Sequence, residues 1–306
     1  MVACFALLAA LANAVASICQ RLGVEDAPMT AGPSMSLVRH MVRRPIWLLG
    51  FVIMAAGFAS QAVALHLGAL NVVQPLMVTE LVTLVLVLWL WYATPLVARD
   101  LVAAVATAGG LGMFLFLAAP QVGARIPSDA QWLETGLSVV VVAAALTVLG
   151  SRGPGRRRAL LLGAAASVGF ALLAAVTKSM TDVLARGWGA VVTSWQLYAL
   201  CVIGLTSFLI MQSAFQVGPF AASQSSLILV NPFVSIAVGH VLFGETLRGG
   251  PLFAPLEVLA LITMIVGALG LSTSSLVAQV HDESAHSHLL RGRGRYARWR
   301  HEASRR

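Results

Sequence analysis

Apolar runs of roughly 20 residues recur nine times along this chain of 306 residues. A run of that length has one low-energy fate, a helix across a bilayer. No water reaches the backbone amides there, and a helix satisfies them internally. The runs centre on 2–20, 46–66, 70–91, 100–119, 133–150, 159–180, 194–216, 219–243 and 255–276, the fifth being the shortest. Composition agrees, with 58% hydrophobic and only 10% charged residues and a mean hydropathy of +0.86. Soluble domains do not reach these values, so the expected fold is an all-α polytopic membrane protein. Three cysteines, Cys4, Cys19 and Cys201, are too few for a disulfide framework and read as small buried apolar residues.

Charge placement orients the chain, because short cytoplasmic loops collect Lys and Arg. With the N-terminus outside, Arg21, Arg39, Arg43, Arg44, Arg99, Arg152, Arg156, Arg157, Arg158 and the seven arginines from Arg291 to Arg306 all fall inside. Outside remain Arg125, Lys178, Arg186 and Arg248. The +8 formal charge then faces anionic lipid of an inner or plasma membrane, and nucleic acid is not implied. The first run contains "LANAVAS", an Ala-x-Ala pattern that suggests signal cleavage. No basic residue precedes it and Arg21 follows, the wrong order for a signal, so an uncleaved span is expected.

Set side by side, spans 1–4 and 6–9 repeat at an offset near 150 residues. Trp47 falls opposite Trp195, and Ala64, Gly68 and Gln74 fall opposite Ala214, Gly218 and Gln224. The expected organisation is a four-helix repeat over 1–132, a connecting helix at 133–150, a second four-helix repeat over 159–276 and a basic, disordered tail at 277–306. A shift of five spans reverses direction through the membrane, so the halves are expected to be inverted repeats. That architecture recurs in secondary transporters, with the substrate site near the midplane between the halves.

The stretches "RPIWLLGFVIMAAGFASQAVALHLGALNVVQPLMVTELV" and "LILVNPFVSIAVGHVLFGETL" resemble the drug/metabolite transporter superfamily, of EamA-like type. The second has a mid-helix proline, a small-residue run and a closing Gly244–Glu245; the first, with "QPL" at Gln74–Leu76, is similar to the NIPA-type magnesium transporters. The resemblance implies a transporter of about nine helices that works by alternating access, and it makes Mg²⁺ the leading specific substrate. "ANAVASICQR" resembles the helix in which small multidrug-resistance relatives hold a proton-binding glutamate, but the matching residue is Asn13. An amide does not exchange a proton, so that antiport mechanism does not transfer.

Glu80 stands in mid-span within "NVVQPLMVTELVTLVLVLWLW", whereas Asp100, Glu134, Glu245 and Glu257 lie near span ends. A carboxylate at the bilayer centre costs about 2.5–3.5 kcal/mol or more, so it should face the bundle interior. Two readings stand, a substrate- or ion-binding group, including a metal ligand, and an interhelical lock. Met77, Glu80, Thr83 and Val87 share a helical face, which offers Thr83 as a hydrogen-bond partner. Further candidate binding residues are Asn13 with Ser17 and Gln20, Gln224 with Asn231 and Ser235, and Ser213 with Gln216, each set sharing a face. Pro232 is expected to break its helix and expose a carbonyl.

Lys178 reads either as snorkelling to the interface or as an outer gate, with Asp182 four residues on as its partner. Trp47, Trp89, Trp91 and Trp195 suit either an organic substrate or interfacial anchoring. His281, His286, His288 and His301 offer metal ligands in the tail, although a basic segment on anionic lipid is the simpler reading. No phosphate-binding loop, metal-hydrolase or nucleophile-elbow motif is present, so neither an enzyme nor a bound cofactor is expected. The expected function is transport of a small solute or cation. The alternatives are an exporter of an organic metabolite, drug or lipid, and a non-transporting scaffold. With single cysteines introduced for impermeant-reagent labelling, the Ser151–Arg158 loop and the tail should react from the cytoplasm and the Gln121–Ser128 loop from outside. Reaction of both loops on one side would refute nine spans.

Overall fold

The computed structural model describes residues 1–24, 42–92, 98–123, 125–248 and 253–272. The basic tail with its four histidines, and the side chain of Trp91, lie outside them. Among the described residues, nine helices are long and apolar enough to cross a membrane. They are α1 (Val2–Val24), α2 (Pro45–Leu67), α3 (Leu70–Leu76 and Thr79–Tyr92), α4 (Ala98–Ala118), α5 (Asp129–Gly150), α6 (Gly155–Leu184), α7 (Trp195–Val217), α8 (Phe220–Val238, continued by a π turn at Gly239–Phe243) and α9 (Phe253–Ser272). A short helix, Trp188–Thr193, joins α6 to α7. The isolated bridge between Gln121 and Thr246 is the β pairing found among these residues.

Span count follows expectation, and the ends differ for local reasons. α5 is not short: Ser128 accepts from the Gln131 amide and Gln131 reaches back to the Ser128 amide, and this capping box starts the helix at Asp129. α6 runs for 30 residues, about 45 Å at helical rise. It is also the central helix, with 78% of its apolar window enclosed against 11% for α5. Its neighbours α2, α5, α7 and α8 pack around it. Such close approach requires small residues, here Ala165, Ala166, Ser167, Gly169 and Ala171.

Two hairpins, α2–α3 and α7–α8, are built alike. α2 and α7 each span 23 residues, and each ends on a glycine in extended backbone, Gly68 or Gly218, two residues before the next helix begins. Neither glycine is there for its dihedrals. A Cβ on Gly68 would lie 2.8 Å from Val2 Cγ1, and one on Gly218 only 2.3 Å from the Gly155 carbonyl oxygen. α1 packs on α2, α6 on α7, and α4 on α9, while α3 and α8 meet in the interior.

The break expected at Pro232 is elsewhere. α8 continues through Pro232, and α3 is interrupted after Pro75. There Val78 donates to the Pro75 carbonyl at 3.0 Å, Glu80 to Met77 at 2.9 Å and Leu81 to Val78 at 3.1 Å, a tightened turn between two helical segments. Cys19 is buried as expected, but Cys4 and Cys201 are exposed on the bundle exterior. Trp47 is buried against Phe51 and Phe208, whereas Trp195 is exposed beside Trp132.

The α4–α9 contact depends on glycine. A Cβ on Gly110 would meet the Met264 backbone nitrogen at 2.5 Å, and Gly112 on the same helix has nothing within 4 Å. Gly110→Ala should therefore destabilise the detergent-solubilised protein by about 1–3 kcal/mol, with Gly112→Ala neutral or mildly stabilising. Thermal unfolding of the two variants provides the comparison.

Candidate functional site

Glu80 opens the second segment of α3, and the turn beneath it directs its side chain into the bundle, where it is buried. Gln224 Nε2 of α8 donates to Glu80 Oε1 at 2.6 Å and lies 3.4 Å from Ser17 Oγ of α1. Asn13 and Ser17 also hydrogen-bond to the carboxylate. Three helices from the two ends of the chain thus converge on one acidic group. Among the described residues, its hydrogen-bond partners are neutral side chains and no cation faces it. Gln224 Oε1 is buried without a partner.

A second rung crosses the α3–α8 interface nearer the start of α3. Asn231 Nδ2 donates to Gln74 Oε1 at 2.6 Å, and the Ser235 hydroxyl donates to Asn231 Oδ1 at 3.3 Å. Beyond Ser17, the α1 stripe continues to Gln20, whose Oε1 accepts from Gln212 Nε2 at 2.7 Å. Gln212 Oε1 in turn accepts from the Trp47 indole at 3.4 Å. Trp47 therefore belongs to this buried polar layer.

Of the residues singled out from sequence, Asn13, Glu80 and Gln224 come together, and Asn231 with Ser235 form the adjacent rung. Thr83 does not join them. Its hydroxyl donates to the carbonyls of Thr79 at 3.2 Å and Glu80 at 2.9 Å, because a threonine inside a helix finds its own preceding turn first. Ser213 does the same with the Leu209 carbonyl at 2.8 Å. Sequence reasoning missed Asn71 and Gln212 and used Gln74 as a repeat marker and in the QPL resemblance, not as a site residue. The available signal was spacing, since Asn71 and Gln74 lie three apart on the span that carries Glu80.

Lys178 pairs with Glu245 rather than Asp182. Glu245, placed near a span end, is fully enclosed: its two carboxylate oxygens accept from the backbone N–H groups of Leu70 at 2.8 Å and Asn71 at 2.9 Å while Lys178 donates to one of them. Phe243 lies 4.8 Å under the ammonium. The pair joins α6, the end of α8 and the start of α3, so Lys178 neither snorkels nor stands free as an anion contact. Beside it, Gln121 donates to the Thr246 carbonyl at 2.9 Å and Arg125 to the Phe243 carbonyl at 3.2 Å.

Glu80 is the sole carboxylate in its cluster, and no group of three or more His, Cys, Asp and Glu converges among the described residues. As a metal ligand it would act with amide and hydroxyl oxygens alone. Comparison with known proteins finds an uncharacterized protein of Corynebacterium glutamicum, 25% identical over 281 residues that cover 89% of this chain and 94% of that one. No family model matches, and no solved structure matches.

The Lys178–Glu245 pair permits a stability test. Lys178→Met leaves a buried carboxylate facing only backbone amides and should destabilise the protein by about 3–5 kcal/mol. Adding Glu245→Gln should recover most of that loss. Thermal unfolding of both single variants and the double variant measures the coupling.

Proposed function

We propose that this chain is a secondary transporter of the drug/metabolite type, moving a small cationic solute by alternating access between two inverted four-helix repeats, with Glu80 as the cation-binding group. The observation that carries this reading is a buried carboxylate at the meeting of α1, α3 and α8 whose hydrogen-bond partners among the described residues are all neutral. In a low-dielectric interior such a group demands a positive charge, either a proton or a cation that arrives from solution. A purely structural carboxylate would be expected beside a fixed cation, as Glu245 is beside Lys178.

Several features support the repeat. The hairpins α2–α3 and α7–α8 coincide at an offset of 150 residues in both helix length and glycine turn. The same shift carries Gln74 onto Gln224 and takes Asn231 back to Leu81, beside Glu80. The bonds Asn231–Gln74 and Gln224–Glu80 are therefore images of one another to within one residue. Contacts related in this way are what a two-fold axis in the membrane plane generates. The positive-inside count favours the N-terminus outside and the tail in the cytoplasm against anionic lipid.

Charge balance selects the class of solute. One carboxylate neutralises one positive charge, which suits a proton or a monovalent cation. Mg²⁺, implied by the NIPA-like stretch, usually takes one or two carboxylates and keeps several waters. At Glu80 it would retain half of its charge in the bundle interior.

Solid-supported-membrane currents from proteoliposomes test the proposal directly, with Na⁺, K⁺, Mg²⁺ and ethylammonium as probes across a range of pH. The parent should give a current with at least one probe. Glu80→Gln, reconstituted at matched protein content, should insert at least as well and lose that current by about a hundredfold or more. Parental currents from Glu80→Gln at every pH would reduce the glutamate to a packing role. A parent silent to every probe would favour an electroneutral organic exporter or a scaffold.

A further inference from the structure

The interface between α3 and α8 holds more hydrogen-bonding capacity than its own residues satisfy. Asn71 is 1% exposed, and neither its amide nitrogen nor its amide oxygen has a partner. Gln74 is fully buried, and its Nε2 is likewise unpartnered while its Oε1 accepts from Asn231. The two side chains lie three residues apart on one face of α3. Asn71 is aimed at α8, because a Cβ added to Gly239 would lie 2.8 Å from Asn71 Oδ1. Across the seam stand Asn231 and Ser235.

Unpaired amides inside a bilayer are expensive unless something fills them, and no apolar substitution pattern would retain three such atoms in one place. The neighbouring charges do not satisfy them. Lys178 and Glu245 neutralise each other, and Glu245 accepts the Asn71 backbone N–H rather than its side chain. Glu80 lies six residues along α3, across the Met77–Val78 turn, so the backbones of Gln74 and Glu80 are about 9 Å apart at helical rise.

We propose that Asn71, Gln74 and Asn231 form a second subsite that binds an uncharged hydrogen-bonding group of the transported solute, while Glu80 binds its ammonium group. The solute class is a small organic amine carrying a carboxamide, carbonyl or hydroxyl several bonds from the nitrogen. This rests on the reading of Glu80 as a cation site. An amide group supplies both an acceptor for Asn71 Nδ2 and Gln74 Nε2 and a donor for Asn71 Oδ1, so it matches all three unpartnered atoms. An alkyl group of the same length matches none.

The test uses the full-length protein in detergent and isothermal titration with two probe series. The first comprises ω-amino carboxamides with two to five methylenes, and the second comprises n-alkylammonium ions of equal length. At least one amino carboxamide should bind about tenfold tighter than its alkyl counterpart, the discrimination expected when buried polar groups would otherwise stay unpaired. Gln74→Leu and Asn71→Leu should abolish that preference by weakening the amino carboxamides more than the alkylammonium ions, and Glu80→Gln should weaken both series. Because Asn71→Leu removes two unpartnered atoms, its unliganded melting temperature should be unchanged or raised, whereas Gln74→Leu also removes the acceptor of the Asn231 bond and should lower it. Equal affinities for the two series in the parent would overturn the second subsite and leave the Glu80 reading standing. So would an Asn71→Leu variant that gains stability without losing the preference, since that amide would then be filled by water alone. Binding of both series that persists in Glu80→Gln would overturn the Glu80 reading itself. Binding of neither series would overturn the amine class, leaving the inorganic-ion currents to judge Glu80 separately.

Discussion

An acidic side chain enclosed by an apolar bundle and met, among the described residues, by neutral donors is a constraint that the surrounding helices have to be arranged around. Glu80 cannot be left against lipid, so α1 and α8 must bring Asn13, Ser17 and Gln224 to the same depth on α3. Those residues belong to segments more than 200 positions apart, and their convergence fixes how the first and last parts of the chain pack. The interruption of α3 serves the same requirement. Pro75 cannot donate to the carbonyl one turn back, and the tightened turn at Met77–Val78 restarts the helix one residue before Glu80. The carboxylate then lies in the first turn of a helix, where the helix dipole favours negative charge.

Glu245, another of the buried carboxylates, shows how the fold treats an acid that is purely structural. Glu245 receives two backbone N–H groups and an ammonium, so both of its carboxylate oxygens are engaged. Desolvation there is offset by partners that cannot leave without unfolding the end of the bundle. Glu80 has the opposite arrangement, with amides and a hydroxyl that orient it but cannot neutralise it. The contrast between the two acids within one bundle is the physical ground for assigning binding to one and tethering to the other.

Legibility in the sequence divides along similar lines. Span number was readable because backbone hydrogen bonding in lipid admits few alternatives, and the matched hairpins were readable because both glycine turns require close contact. Glu80, Asn13 and Gln224 were readable as polar residues that an apolar run would not otherwise tolerate. What failed was choosing between partners. Thr83 was one helical turn from Glu80, but its hydroxyl already had carbonyls within reach. Asp182 was one turn from Lys178, yet Glu245, 67 residues further on, supplied a better-enclosed partner that no local spacing reveals. Pro232 was expected to break α8, and neighbouring packing instead carries the helix through it.

The packing also indicates where such a bundle can yield. α1 and α2 meet at Gly50 and Gly57, α4 and α9 at Gly110 and Gly267, and α6 and α7 at Gly169, each so close that a single added carbon would strike a neighbour. Surfaces interlocked at that distance move together, since sliding them loses many dispersion contacts at once. The α3–α8 interface is different in kind. It rests on a few carboxamides, two of them with unused donors, and on helices already interrupted in α3 and distorted into a π turn at the end of α8. Carboxamides on flexible side chains can exchange one partner for another with little change in total bonding, which tightly packed glycines cannot do. Rigid pairs flanking a seam of exchangeable hydrogen bonds, with one uncompensated acid set in that seam, give the bundle a mechanical weak plane that coincides with its polar centre.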